Sequence, residues 1–459
     1  MEKEDLTDTI AAISTPIGEG GIGIVRISGE DALKIADKIF VSSRGKPSGF
    51  KTYTIHYGKI ADSSRVIDEV ILTVMRAPKT YTKEDVVEIN CHGGIVALRD
   101  VLELVLKNGA RLAHPGEFTK RAFLNGRIDL AQAEAVIDII RAKTDSALRL
   151  GLNQLKGKLS DEINKYRELI LNILVQLEAS IDFPEEEISK ADLKDLAGRI
   201  ERINHDLKDL IDNSKSARIL REGVHLVICG KPNVGKSSLL NALLKEERAI
   251  VTPLAGTTRD TIEEIIDIKG VPVRIVDTAG ILEPRDLVEK KALSRSKQEI
   301  SAADLVVILF DGSKKLSQED LLLIKNLKRK TVIAVINKID LKQNIERQQL
   351  LSKFKNVVEI SAKRNRNIIL LENMIADLVY GGVVLNAESV MIGNLRHIQL
   401  IRKAQKNIAQ ASESLDNGLS LEFIAQEIRE ALGFLDEILG KKFSGDLLDK
   451  IFSEFCIGK

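Results

Sequence analysis

Apolar positions change rhythm three times along the chain, and each change predicts a different architecture. Between Thr9 and about Arg121, short β-branched runs at 10–14, 22–28, 53–60, 66–75 and 86–91 predict strands, while three-to-four spacing over 31–40 and 96–107 predicts helices. The expectation is a small α+β domain over 1–121. From about Leu124 the residues Leu155, Leu159, Ile163, Tyr166, Ile170, Ile173 and Leu177 form the stripe of long amphipathic helices. Pro184 and three consecutive glutamates interrupt the stripe, and a further helix is expected to run to about Ile211.

Beyond Gly223, apolar runs at 225–229, 273–276, 305–310, 332–336 and 357–360 alternate with helical segments. That is the pattern of βαβ units and a doubly wound, mostly parallel sheet. After Gly381 helical spacing returns through Ile401, Ala404, Ile408, Ala411 and Leu415, then Ile424, Ile428, Leu432 and Leu435. The economical reading is a helical domain in two parts, 122–222 and 383–459, interrupted by an inserted α/β domain over 223–382.

Composition narrows the class. At about 150 residues per domain, 459 residues fit three domains. The 68 Lys and Arg against 67 Asp and Glu leave a formal charge of +1, which excludes a chain that coats nucleic acid by bulk charge. Cys91, Cys229 and Cys456 are odd in number and far apart, so neither a disulfide framework nor a structural zinc site is expected. Glu2, Glu4, Asp5 and Asp8 stand where a signal peptide would be basic, and no apolar run approaches the roughly 18 residues of a membrane span. A cytoplasmic protein is expected.

The inserted domain carries the chemistry. Residues 230–237 read G-x-x-x-x-G-K-S, between a predicted strand and a helix expected to start near Ser238. In that setting loop amides cradle phosphates, Lys236 neutralises the β and γ phosphates, and the Ser237 hydroxyl ligates Mg²⁺. Three further motifs follow: Gly256-Thr257-Thr258-Arg259-Asp260, Asp277-Thr278-Ala279-Gly280 and Asn337-Lys338-Ile339-Asp340. Together they point to a GTPase. Asp340 can accept the guanine N1–H and amino group, Ser361, Ala362 and Lys363 can close over the base, and Asp277 can hold Mg²⁺ through water. Gly280 can bond the γ-phosphate, and Thr258 can complete the metal shell. Ile281 stands where Ras-like enzymes place a water-orienting glutamine, so another group must do that work.

The runs 8–28, 82–94 and 115–134, the inserted GTPase motifs and the closing Phe455-Cys456-Ile457-Gly458-Lys459 together resemble the MnmE (TrmE) family of tRNA-modification GTPases. The resemblance spans essentially the whole chain. It implies a homodimer whose N-terminal domain binds 5,10-methylene- or 5-formyl-tetrahydrofolate through Arg26, Glu88, Arg127 and Lys459. It assigns K⁺ to Asn233 and the carbonyls of Thr252, Leu254 and Thr257, and Mg²⁺ to Ser237 and Thr258. GTP or GDP would be enclosed by Asn233, Val234, Gly235, Lys236, Ser237 and Ser238, with Thr252, Pro253, Leu254, Ala255, Gly256, Thr257 and Thr258. Asp277, Thr278, Ala279, Gly280, Asn337, Lys338, Asp340, Ser361, Ala362 and Lys363 would complete that enclosure. Glu289 would hold the attacking water, and Cys456 would act near the folate.

The implied reaction adds an aminomethyl or carboxymethylaminomethyl group to carbon 5 of the wobble uridine of certain tRNAs, with the flavoprotein MnmG (GidA) as a heterotetramer partner. A ribosome-assembly GTPase that binds rRNA would share the nucleotide motifs but leave the Cys456–Lys459 tail without a purpose. A folate-binding scaffold would leave the nucleotide motifs unused.

Overall fold

The computed structural model describes residues 8–63, 65–183, 190–244, 264–277, 298–327, 330–380 and 391–459. The chain divides into two compact units: Met1–Ile137, Leu155–Ile163 and Leu435–Lys459 form the first, Asp138–Gln154 and Asn164–Phe434 the second.

The first unit is built on a seven-stranded sheet of order β3-β4-β5-β6-β2-β1-β7. Its strands are β1 (Ile10–Ile13), β2 (Gly23–Ser28), β3 (Phe40–Val41), β4 (Thr54–Asp62), β5 (Arg65–Met75), β6 (Val86–Cys91) and β7 (Arg111–Leu112). Only the β1–β7 pairing is parallel. Helices α1 (Ala32–Ile39) and α2 (Ile95–Lys107) supply Leu33, Ile35, Ile39, Leu98, Val101 and Val105 to a core shared with Val25, Ile27, Leu72 and Ile89. The five strands and two helices expected here are present. The edge strands β3 and β7 were not expected, because two residues each are too few to show a period of two.

Past the sheet come α3 (Glu117–Leu124) and α4 (Leu130–Arg141). Phe123, Leu130, Ala133 and Ile137 pack with Leu448, Phe452 and Phe455 from the last stretch of chain. Helix α14 (Gly445–Ser453) ends three residues before Cys456, and the tail beyond it is a turn held against the sheet. Gly458 has φ +95°, and a Cβ there would stand 2.3 Å from the Ile13 carbonyl, so only glycine lets the tail lie on β1.

The second unit contains a six-stranded sheet of order β13-β12-β11-β8-β10-β9. Its strands are β8 (Val224–Gly230), β9 (Glu264–Ile268), β10 (Val271–Asp277), β11 (Leu305–Asp311), β12 (Val332–Asn337) and β13 (Asn356–Glu359). All pairings are parallel except β9–β10. Helices α8 (Lys236–Leu244), α9 (Gln318–Asn326), α10 (Arg347–Leu351) and α11 (Ile368–Tyr380) connect or follow the strands. The remaining helices are α5 (Asp145–Leu155), α6 (Lys158–Asp182), α7 (Lys190–Glu222), α12 (Leu395–Asp416) and α13 (Leu421–Leu439), of which α7 and α12 lie wholly in the second unit.

Helix α7 runs to Glu222 rather than stopping near Ile211. The apolar stripe continues through Leu210, Ala217 and Leu220, but its middle position is Ser214, buried with its hydroxyl donating to the Ile211 carbonyl, which hides the period. Gly223 (φ +80°) joins α7 directly to β8; its N–H donates to Ile219, and a Cβ would meet the Pro272 carbonyl at 2.7 Å.

Candidate functional sites

Strand β8 lies in the sheet interior between β10 and β11, and six of its seven residues are buried. It delivers the 230–237 loop to the carboxyl edge of the sheet, where open α/β sheets bind ligands. Asn233 is exposed at φ +64°, a conformation asparagine tolerates better than other side chains. Lys236 is buried at the start of α8, and its ammonium donates to the carbonyls of Gly230 (3.1 Å) and Lys231 (2.9 Å). Ser237 and Ser238 are exposed in the first turn of α8, while Val234 is buried beneath the loop.

The neighbouring strand ends hold this loop in place. Asn337, at the end of β12, donates to the Val234 carbonyl (2.8 Å) and accepts from the Ala362 amide (3.0 Å). Lys338 donates to the Asn233 carbonyl (2.7 Å) and to Asp311 Oδ2 (2.7 Å). Burial would raise the Asp311 carboxyl, but hydrogen bonds from Lys338 and Ser313 prevail and hold it below the usual range. Ser361 donates to Asp340 Oδ1 (2.6 Å), and this bond chiefly keeps the exposed Asp340 carboxyl below its ordinary value. Lys363 is exposed beside the buried Ser361 and Ala362.

Asp277 closes β10, in register with Ile228 on β8. Thr252, Pro253, Leu254, Ala255, Gly256, Thr257, Thr258, Thr278, Ala279, Gly280 and Glu289 lie outside the described residues. Asp311 was not singled out from the sequence. Its only signal is a carboxylate at the end of an otherwise wholly apolar strand.

In the first unit, residues from opposite ends of the chain meet. Arg26 on β2 faces Glu88 on β6 in register and donates from Nε to its Oε1 at 2.8 Å. The same guanidinium donates to the Gly458 carbonyl (3.2 Å), which also accepts from Ser14 (3.2 Å). The Phe118 amide donates to the Lys459 carbonyl (3.2 Å). Burial lowers the Lys459 ammonium pKa, with the Arg26 charge acting the same way and Glu88 partly opposing it. Cys456 is exposed, whereas Cys91 and Cys229 are buried, their thiols pushed up to about 11 and about 12.

Arg127 joins this group through Tyr81, lying 4.8 Å from the ring centroid and donating to the Tyr81 carbonyl (3.2 Å). Arg26 stands over the same ring at 5.8 Å and over Phe118 at 5.6 Å. The loop bearing Tyr81 is anchored by Arg121, 1% exposed, which bonds Asp8 and Glu84; Glu84 in turn accepts from Ser28 (2.6 Å). Neither Tyr81 nor Arg121 was foreseen, since Lys120-Arg121 reads as an ordinary charged surface pair.

Among the described residues no group of three or more His, Cys, Asp or Glu could hold a metal, and no helix is long and apolar enough to cross a membrane.

A phosphate-loop strand and helix beside an Asn-Lys-x-Asp strand end and a Ser-Ala-Lys turn define a P-loop GTPase domain, here set within a helical chain. A family model described as the MnmE helical domain matches residues 130–456, and one described as the GTP-binding protein TrmE N-terminus matches 9–127. The tRNA modification GTPase MnmE of Clostridioides difficile (strain 630) is 48% identical over 457 residues, covering 99% of this chain and 100% of the relative. That of Carboxydothermus hydrogenoformans is also 48% identical, with 99% and 100% coverage, and that of Staphylococcus aureus (strain Newman) is 46% identical, with 98% and 99%. The chain belongs to the MnmE (TrmE) family of tRNA modification GTPases.

Proposed function

We propose that the chain binds GTP and GDP at the loop between β8 and α8, hydrolyses GTP, and uses this cycle to modify carbon 5 of the wobble uridine of certain tRNAs. The observation that carries the nucleotide reading is the ionised Asp340 carboxylate, held by Ser361 beside the pinned loop. Such a carboxylate accepts both guanine donors and offers adenine nothing. On nucleotide entry Lys236, steadied by the Gly230 and Lys231 carbonyls, would turn toward the β and γ phosphates. Ser237 with Thr258 would hold Mg²⁺. Asn233, exposed on the loop, would hold K⁺ with the carbonyls of Thr252, Leu254 and Thr257. The bound cations would offset charge developing on the phosphates. Glu289 would position the attacking water.

The first unit would take a one-carbon folate. Arg26, Arg127 and Lys459 set three side-chain cations beside the Glu88 carboxylate and the α-carboxylate of Lys459, a net positive balance suited to the anionic glutamyl end, with Glu88 toward the pterin. Cys456, exposed beside this group, would act at the one-carbon unit. A homodimer working with the flavoprotein MnmG completes the reading. The test is the modified-nucleoside profile of tRNA from cells lacking the protein, compared with cells carrying it. Loss of carboxymethylaminomethyl and aminomethyl wobble uridines is expected; an unchanged profile with defective ribosome assembly would overturn the reading.

A further inference from the structure

The G-x-x-x-x-G-K-S pattern leaves its second position open, yet the side chain there is tied down. The Lys231 ammonium lies 2.7 Å from Asp320 Oδ2 and donates to Ser317 Oγ at 2.8 Å. Asp320 is 4% exposed, and the same Oδ2 accepts from the Ser317 amide (2.8 Å) and hydroxyl (3.0 Å). Ser317 and Asp320 form the capping box of α9, so the phosphate loop is fastened to the start of a helix eighty-odd residues away in sequence.

This tie acts on the phosphate-binding lysine. The Lys231 carbonyl, with that of Gly230, holds the Lys236 ammonium. Fixing the Lys231 side chain on one side of the loop therefore fixes the carbonyl beside Lys236. Two residues on, the Asn233 carbonyl is held by Lys338, itself paired with Asp311. The end of β11 and the first turn of α9 thus supply the carboxylates Asp311 and Asp320, which steady the loop through lysines.

We propose that Lys231 and Asp320 are a positioning pair that holds the phosphate loop, and through it Lys236, in register for the β-phosphate of the bound nucleotide. The proposal rests on the GTP-binding reading and adds residues that its motifs do not name. A preformed loop spares the nucleotide the cost of ordering it, so the pair sets how long a diphosphate or triphosphate stays. A guanosine monophosphate, lacking the β-phosphate that Lys236 addresses, gains little from it.

The test uses the full-length chain and measures GDP and GMP binding by competition against a fluorescent GDP, with the melting temperature recorded for each variant. Lys231→Met should weaken GDP about tenfold, equivalent to about 1.4 kcal/mol, and leave GMP within about twofold. Lys231→Arg, which keeps a cation for Asp320, should recover most of the loss. Asp320→Asn should reproduce the Lys231→Met effect on GDP, and combining the two should add little. GDP affinity unchanged in Lys231→Met would overturn the pair. So would equal losses of GDP and GMP, which would make Lys231 a matter of folding alone. A wild-type chain that binds no GDP would overturn the GTP-binding reading itself, an outcome separable from both.

Discussion

The nucleotide loop and the tail-bearing site of the first unit are assembled in opposite ways. The loop sits at the ends of adjacent parallel strands, and its candidate residues occupy short runs: 230–238, 337–340 and 361–363. Backbone groups and strand ends fix them, with Asn337 bridging Val234 and Ala362. The other site joins Arg26, Glu88 and Arg127 to Gly458 and Lys459, with Arg26 and Gly458 432 positions apart in sequence. What holds that second site is packing of Phe452 and Phe455 on α3 and α4. One site should therefore survive damage to distant packing, while the other depends on it.

The nucleotide site is most sensitive at the base end. Asp340→Asn should shift preference from GTP toward XTP by roughly a thousandfold, because the amide no longer accepts both guanine donors. Hydrolysis of the two nucleotides measured side by side checks this, and tail-site ligand binding should not change. Next comes Phe455→Ala, which opens a cavity in a 5% exposed position and should cost about 3 kcal/mol in the first unit. Denaturant unfolding should show the loss, folate binding should fall with it, and GTP turnover should stay near wild type. If turnover fell in parallel, the two sites would not be separable in the way their construction implies.

Smaller again is Arg26→Ala, expected to weaken folate roughly tenfold by removing one charge-assisted contact. Isothermal titration reads this directly, and unaltered affinity would remove Arg26 from the site. The smallest effect concerns acidity. Asp311 in the second unit and Glu117 in the first both have carboxyls held below their ordinary values; burial opposes this and Lys338 or Arg111 prevails. A depressed native pKa gives stability that is present above the unfolded value and lost as pH falls through the native one. The stability these two carboxylates contribute should therefore hold from pH 7 to about 5 and be lost only below about 4. Melting temperatures of Asp311→Asn and Glu117→Gln that follow the wild-type decline below pH 4 without narrowing the gap would contradict both assignments.

Legibility in the sequence followed the same divide. The phosphate loop, the Asn337–Asp340 run and the strands on either side were readable because local spacing encodes them. The partners that steady the loop were not: Asp311 and Asp320 lie outside every motif, and nothing in their neighbours announces a lysine from another loop. Arg26, Glu88, Arg127 and Lys459 were nameable only through resemblance, since periodicity says nothing about which distant residues a sheet and a tail bring together. Tyr81 illustrates the limit. It reads as a lone aromatic in a polar run, and its place near two guanidiniums emerges only from the fold. The end of α7 was missed for a subtler reason, a serine occupying a buried position in an apolar stripe.

The junction at Gly223 turns α7 into a lever without a loose joint. Thirty-three helical residues span about 50 Å at 1.5 Å per residue. They pass into β8 through one glycine that hydrogen-bonds back into the helix and has no room for a side chain beside Pro272. A tilt of one degree at the strand would swing the far end of a rigid rod of that length by about 1 Å at Lys190.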